Sequence, residues 1–415
     1  MSKFKSEFLQ IMEERGFLYQ CTDEKGLDEL FRQGPVTAYI GFDCTAPSLH
    51  VGSLIQIMVL RWLQKTKNKP IILIGGATTK IGDPSGKDES RKLLLDEEID
   101  KNISGIKNIF GQFGVKAQFV NNEDWLANIN HIDFLRDYGR HFSINRMLSM
   151  DSVKNRIERE QELSFLEFNY MVMQSYDFVH LFRKYGCRLQ IGGSDQWGNI
   201  VNGTELWRRV NAGNKPSENL FGLTTPLITT ASGAKMGKTA EGAVWLSANM
   251  LKPYDYWQFW RNTEDADVGR FLRLFTELPM EEVKKLEKLQ GADINKAKII
   301  LANEATTICH GAEAAKLAEQ TAQKTFAEGG VGENLPTINK SKKEISDGID
   351  YISLFVEAGL AESRGAAKKL IQGGGARKNG EKIENIDSKT SKADISSGII
   401  KLSSGKKNHA IVKAV

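Results

Sequence analysis

Residues 36–53 read VTAYIGFDCTAPSLHVGS and run straight into an apolar stretch from Leu54 to Leu63. Ala38 to Phe42 is a short β-forming segment. The loop of small and polar residues after it delivers Ser48, His50, Gly52 and Ser53 to the start of a helix. The first N–H groups of a helix have no partner within it, and the peptide dipoles add partial positive charge, so an anion is a natural occupant. The His50 imidazole can donate to phosphate oxygens, and Gly52 lets a bulky ring lie against the backbone. The stretch reads as a nucleotide cradle at the first strand–helix turn of a parallel sheet.

Working outward, the helix after His50 is apolar nearly all round, which predicts burial. Lys69 to Gly76 (KPIILIGG) is a β-branched apolar strand that completes a βαβ unit. A loop over Ala77–Lys87 and a polar helix bearing Arg91 and Lys92 are expected next. Then come a strand at Gln118–Asn121, a helix at Ile132–His141, a charged, interrupted stretch over 142–160, and a helix at Phe165–Phe182. A strand at Arg188–Ile191 carries Gly192 to Asn199 at its C-terminal end. Ligands of open α/β sheets sit beyond the strand C-termini, so this segment can converge with the first. Ahead of the cradle, Phe4, Phe8, Ile11 and Met12 mark an amphipathic helix over residues 3–15, and a second short helix spans about 26–33.

The 415 residues, 40% apolar and 26% charged, suit a globular protein of about two to three domains. A net charge of +4 neither demands nor excludes a polyanionic partner. Cys21, Cys44, Cys187 and Cys309 are scattered with no C-x-x-C pair, which argues against a zinc knuckle or disulfide frame and suits a reducing, cytoplasmic setting. Residues 1–15 mix Lys3 and Lys5 with Glu7, Glu13 and Glu14, unlike a signal or transit peptide. No apolar run reaches the roughly 18 residues of a membrane span. After Trp245 the pattern turns helical, with Trp257, Trp260, Phe271 and Phe275 at core spacing. The segment 327–347 is polar and low in aromatics, as a linker would be. Past it, six basic residues (Arg364, Lys368, Lys369, Arg377, Lys378, Lys382) and one acidic residue fall between Ser363 and Lys382. No Phe, Tyr or Trp follows Val356, so any RNA there would be met through phosphates and shape.

A second polar stretch, Ala234 to Thr239 (AKMGKT), joins the first in resembling the HIGH and KMSKS elements of class I aminoacyl-tRNA synthetases. Leu73–Lys87 (LIGGATTKIGDPSGK), Tyr170–Asp177 (YMVMQSYD) and Cys187–Asn199 (CRLQIGGSDQWGN) narrow the resemblance, which runs nearly end to end, to bacterial-type tyrosyl-tRNA synthetases. It implies an α/β chain with a Rossmann-like, doubly wound parallel-sheet catalytic domain over 1–248. An all-helical anticodon-binding domain would follow over 249–326, then the linker 327–347. A small α+β RNA-binding domain over 348–415 resembles a ribosomal small-subunit protein, with Arg364, Lys368, Lys369, Arg377 and Lys378 toward RNA. The implied reaction is ATP-dependent activation of tyrosine and its transfer to the 3′ end of tRNA(Tyr), by a homodimer. Magnesium would accompany ATP, with no metal site built by the protein.

Adenylate formation needs donors and cations aimed at the departing pyrophosphate rather than a covalent nucleophile. Lys235 and Lys238, with Met236 and Gly237 between them, suit that role. The resemblance adds Thr45, His50, Lys87 and Arg91 to the phosphate side; an ordinary solvated face is the plain alternative for Lys87 and Arg91. It assigns Gly52, Ser53, Gly193 and Asp195 to the adenosine, with Asp43 near the adenylate. Asp83, Tyr170 and Gln174 match the family's ammonium ligands, Gln196 its carboxylate contact, and Tyr39 with Asp177 the pair that bonds the phenol. Such a buried pair can reject phenylalanine by about 10⁴ to 10⁵ without editing. The family's first element commonly ends in a second histidine, and Ser53 stands there instead. A Walker A loop is excluded at Gly233–Thr239, because three residues rather than four separate the glycines. The rivals are a tryptophanyl-tRNA synthetase and a synthetase-derived RNA-binding protein without catalysis.

Overall fold

Apolar side chains fall on both faces of residues 37–43 and 69–75, as strands covered on two sides require. In the computed structural model these become central strands. The structure describes residues 2–85, 94–212, 218–231, 233, 236–239, 242–327, 336–396, 398–405 and 408–415. Strands β1 (Gln20–Cys21), β2 (Thr37–Asp43), β3 (Lys69–Gly75), β4 (Gln118–Asn121), β5 (Leu189–Gly193) and β6 (Phe221–Thr225) form a sheet of order β1-β6-β5-β2-β3-β4. All are parallel except the edge pairing of β1 with β6. From β2 the chain winds outward to β3 and β4, then returns to the other side of β2 for β5 and β6. That reversal opens a crevice beyond the carboxyl ends of β2 and β5.

The helix Leu54–Lys65 buries Leu54, Ile55, Ile57, Met58, Val59, Leu60, Trp62 and Leu63, because β3 lies on one side and the helices Glu7–Arg15 and Val268–Phe275 on others. Arg15, 5% exposed, stacks over Trp62 and donates to the carbonyls of Arg273, Thr276 and Leu278. Its charge is thus spent on backbone oxygens. The Ala77–Lys87 stretch is not all loop: Gly76–Ile81 is helical, its start held by Asn121 and Asn122 side chains that accept from the Gly76 and Ala77 N–H groups. The helix Asp96–Gln112 fills a gap in the sequence reading and buries Ile99, Ile103, Ile106, Ile109 and Phe110. The expected polar helix with Arg91 and Lys92 lies outside the described residues. A two-residue hairpin, β7 (Lys238–Thr239) with β8 (Gly242–Ala243), precedes the helical region. That region, including Pro253–Arg261, Val268–Phe275 and Ile294–His310, buries Trp257, Trp260, Phe271 and Phe275. Sheet and helices belong to one compact unit, Met1–Ala315.

The second unit, Lys316–Val415, contains β9 (Thr337–Lys340), β10 (Ala376–Lys378), β11 (Glu381–Lys382), β12 (Ile399–Ser404) and β13 (Asn408–Ala414), in the order β11-β10-β12-β13-β9. Its core gathers Ile345, Tyr351, Leu354, Phe355, Ile371, Ile400, Leu402 and Val412. This corrects the linker reading of 327–347 for residues 337–347, the part that forms elements of this unit. β9 pairs in parallel with β13, and the helix Lys342–Asp347, capped by Ser341 and Glu344, buries Ile345 completely. Sparse apolar residues in a polar stretch hid an element whose partner strand lies far along the chain.

Candidate active site

A cavity of about 680 Å³ occupies the crevice. Asp177, projecting from the helix Phe165–Tyr185, is 1% exposed and lines it. Its oxygens accept from Asn122 Nδ2 at 3.0 Å and Trp125 Nε1 at 2.7 Å. Burial lifts the carboxyl from its ordinary 3.8 to about 7; the two donors pull the other way, and the Asp43 carboxylate adds to the rise. Tyr39, on β2, also lines the cavity, and its fully buried hydroxyl has no hydrogen-bond partner among the described residues. Burial, with Asp177 second, holds that phenol far above its usual range.

Away from Asp177, a polar chain crosses the cavity wall. Gln196 Nε2 donates to Asp83 Oδ2 at 2.7 Å, Gln174 Nε2 donates to Gln196 Oε1 at 3.3 Å, and Asn199 Nδ2 donates to Gln174 Oε1 at 2.9 Å. Asp43, ending β2, accepts from Thr78 Oγ1 at 2.9 Å and from the Tyr170 hydroxyl at 3.1 Å. An ammonium group would find carboxylate and amide oxygens here already held in place. At the end of β5, Gly193 lets the Asp195 carboxylate lie close: a Cβ there would come within 2.6 Å of it and push that side chain aside.

The cradle turn is a short 3₁₀ segment, Val51–Ser53, leading into the Leu54–Lys65 helix. His50 Nδ1 accepts from the Gly52 N–H at 3.0 Å, which leaves the ring hydrogen on Nε2 as a donor. The segment after the hairpin is tied to this turn. Val51 N donates to Val244 O at 2.9 Å, Leu246 N to Leu49 O at 2.9 Å, and Val244 N to Gly237 O at 3.0 Å. Gly237, at φ +99°, lies so close that a Cβ there would meet Gly52 N at 2.8 Å and His50 Nδ1 at 2.9 Å. The two polar motifs, far apart in sequence, are therefore in contact.

Tyr39, Asp43, Thr45, His50, Gly52, Ser53, Asp83, Tyr170, Gln174, Asp177, Gly193, Asp195 and Gln196 all line the one cavity. Met236 is buried behind it, its N–H bonded to Ile228 O. Lys87, Arg91 and Lys235 lie outside the described residues, and Lys238 is described only as a strand residue of the hairpin. Asn122, Trp125, Asn199 and Thr78 were missed. The first two sit just past a strand end, which is the one signal that marked them. In the second unit, Arg364, Lys368, Lys369, Arg377 and Lys382 are exposed, Arg364 while bonding Asp350, and the half-buried Lys378 pairs with Asp394. The basic residues counted in the sequence are therefore exposed in all but one case.

Residues 32–327 match the family model of tRNA synthetases class I (W and Y). The tyrosine–tRNA ligase of Rhodospirillum rubrum is 57% identical over 421 residues, covering 100% of both chains. That of Caulobacter vibrioides is 55% identical over 420 residues, covering 100% of this chain and 99% of its own. Among solved structures, the C-terminally truncated mitochondrial tyrosyl-tRNA synthetase of Aspergillus nidulans superposes with a TM-score of 0.69 at 32% identity, covering 78% of this chain and 95% of that one.

Proposed function

The chain belongs to the class I tRNA synthetases of the tryptophan and tyrosine group and acts as a tyrosine–tRNA ligase, and from that premise we propose how its cavity divides the work. The tyrosine side chain enters toward Asp177, where its hydroxyl donates to the carboxylate and accepts from the Tyr39 hydroxyl. The observation that carries this reading is that buried, unpartnered hydroxyl: an apolar ring leaves it unsatisfied, and the phenol does not. The α-ammonium lies among Asp83, Tyr170 and Gln174, while Gln196 orients the carboxylate.

ATP lies over the His50 turn with its ribose toward Gly193 and Asp195. The tyrosine carboxylate attacks the α-phosphorus in line, forming the acyl–phosphate bond as the bond to pyrophosphate breaks. Charge grows on the departing oxygens, where His50 Nε2–H, Thr45, and the lysines at 235 and 238, with Lys87 and Arg91, stabilise it. Magnesium arrives with ATP as part of the substrate. The tRNA 3′ hydroxyl then attacks the carbonyl and releases AMP.

A homodimer is the proposed assembly. Its support is the exposure of six large apolar side chains between residues 132 and 166: Ile132, Leu135, Ile144, Leu148, Phe165 and Leu166. No helix among the described residues is long and apolar enough to cross a membrane, and the proposed location is the cytoplasm. The deciding experiment is pyrophosphate exchange with each of the twenty amino acids. Tyrosine alone is expected to support it; exchange driven by tryptophan would assign the chain to the other branch, and none at all would favour a non-catalytic RNA-binding protein.

A further inference from the structure

Trp125 reaches Asp177 from a foothold of one helical turn. It sits on Glu123–Leu126, a four-residue helix after β4 with no side-chain cap. A single turn holds its residues weakly. The direction of the Nε1–H, which donates to Asp177 Oδ1 at 2.7 Å, is therefore set by what packs on the indole. His180 lies flat against that ring, with centroids 4.3 Å apart and planes inclined by 15°. It falls three residues past Asp177 on the helix Phe165–Tyr185, a spacing that puts two side chains on one face. One helix thus supplies both the acceptor at the edge of the indole and the plate against its face.

The imidazole serves as a flat ring and not as a base. Its Nε2 is buried with no hydrogen-bond partner among the described residues, so its polarity gains nothing there. Burial, then Lys184 and Arg183, hold the ring below its ordinary 6.5, which leaves it neutral at pH 7. From its own helix Tyr176 also faces it, at 6.1 Å between centroids, with Tyr138 and Phe134 packed behind. Asp177 in turn faces Tyr39 and Asp43 from β2, and Asn122 and Trp125 from the segment after β4. His180 is not among the residues that line the cavity, so any effect on substrate passes through Trp125.

We propose that His180 is a positioning residue for tyrosine: stacked on Trp125, it holds the indole N–H on Asp177 and so keeps that carboxylate in place for the phenol. The inference rests on the reading that Asp177 meets the tyrosine hydroxyl. The Trp125 hydrogen bond favours the ionised carboxylate, so a loosened indole moves the ionisation of Asp177 upward from about 7. An aromatic stack is worth roughly two- to tenfold in an equilibrium, or about half to one unit on a pH axis.

The test follows the KM for tyrosine in pyrophosphate exchange from about pH 6 to 9. Wild type is set against His180→Phe, which keeps a flat ring, and His180→Ala, which removes it. The midpoint of the profile is expected near 7 in wild type and in His180→Phe. In His180→Ala it should rise by about half to one unit, with the KM for tyrosine at pH 7 up roughly two- to fivefold and the KM for ATP unchanged. In a Trp125→Phe background, which has no N–H to aim, His180→Ala should add nothing. His180→Leu stands in if the alanine variant does not fold. A midpoint that moves alike in the alanine and phenylalanine variants would mean that the imidazole itself ionises, and one that moves in neither would mean that the indole is held without it. Either result overturns the proposal, as does a full effect of His180→Ala in the Trp125→Phe background. A wild-type KM for tyrosine that is flat with pH sinks the phenol reading of Asp177 and this inference together; a sloping wild-type profile that His180→Ala leaves untouched sinks the inference alone.

Discussion

Asp177 is held near neutrality by burial, and its charge decides how it meets a phenol. Both its oxygens already accept from Asn122 and Trp125, so the ionised form takes a further donor and the protonated form brings a hydrogen that itself needs an acceptor. With the carboxyl at about 7, the KM for tyrosine should rise severalfold as pH falls from 8 to 6, while the KM for ATP stays level; a flat tyrosine profile would remove Asp177 from the phenol contact. Folding runs the opposite way. The folded carboxyl keeps a proton that the unfolded chain loses near 3.8, so this residue's contribution to stability declines as pH rises from about 4 through about 7. Ser53→Ala should leave the activation rate within about twofold, since its hydroxyl caps nothing. The residues of the cavity were legible wherever a loop sat at a strand end in a motif. Asn122, Trp125 and Asn199 were not, because they act on other side chains rather than on a ligand, and nothing in an isolated sequence tells a donor to Asp177 from any other polar residue.

Among the elements, the contact between the His50 turn and the hairpin region is the one on which the chemistry turns. Gly237 permits it twice over, by its left-handed backbone and by having no Cβ to strike Gly52 and His50. Gly237→Ala carries a conformational cost of about 1 kcal/mol and also pushes these segments apart. The expected outcome is a fall in the rate of adenylate formation of about tenfold or more, since displacement of charge from a leaving group is felt steeply. Tyrosine affinity by equilibrium dialysis should not change; a parallel loss there would mean that the substitution damages the whole cavity. The Leu54–Lys65 helix was readable because its residues are apolar all round. Asp96–Gln112 was passed over, although Ile99, Ile103, Ile106 and Phe110 recur at helical spacing within its polar sequence. β9 was not readable, since four polar-flanked residues become a strand only through β13.

At the scale of the molecule, the question is where the tail can be cut. A boundary drawn at residue 348 from composition would leave β9 and the helix Lys342–Asp347 behind without the sheet they complete. Ile345, fully buried in the second unit's core, would be exposed, and β9 would lose the parallel ladder it forms with β13, an unpaired edge of the kind that aggregates. A chain ending at 347 is therefore expected to be less soluble than one ending at 335, although it is longer. The shorter cut isolates the tail's function cleanly. Adenylate formation should be unchanged in it, because every cavity residue lies within Met1–Ala315, whereas charging of tRNA should fall. If Lys368, Lys369 and Arg377 contact phosphates, the intact chain's affinity for tRNA should drop more steeply with salt than the truncated chain's, the slope of log K against log salt differing by about two to three. Equal slopes would show that the basic face of the tail does not touch the RNA, and equal losses in adenylate formation and charging would show that the tail supports the first unit instead.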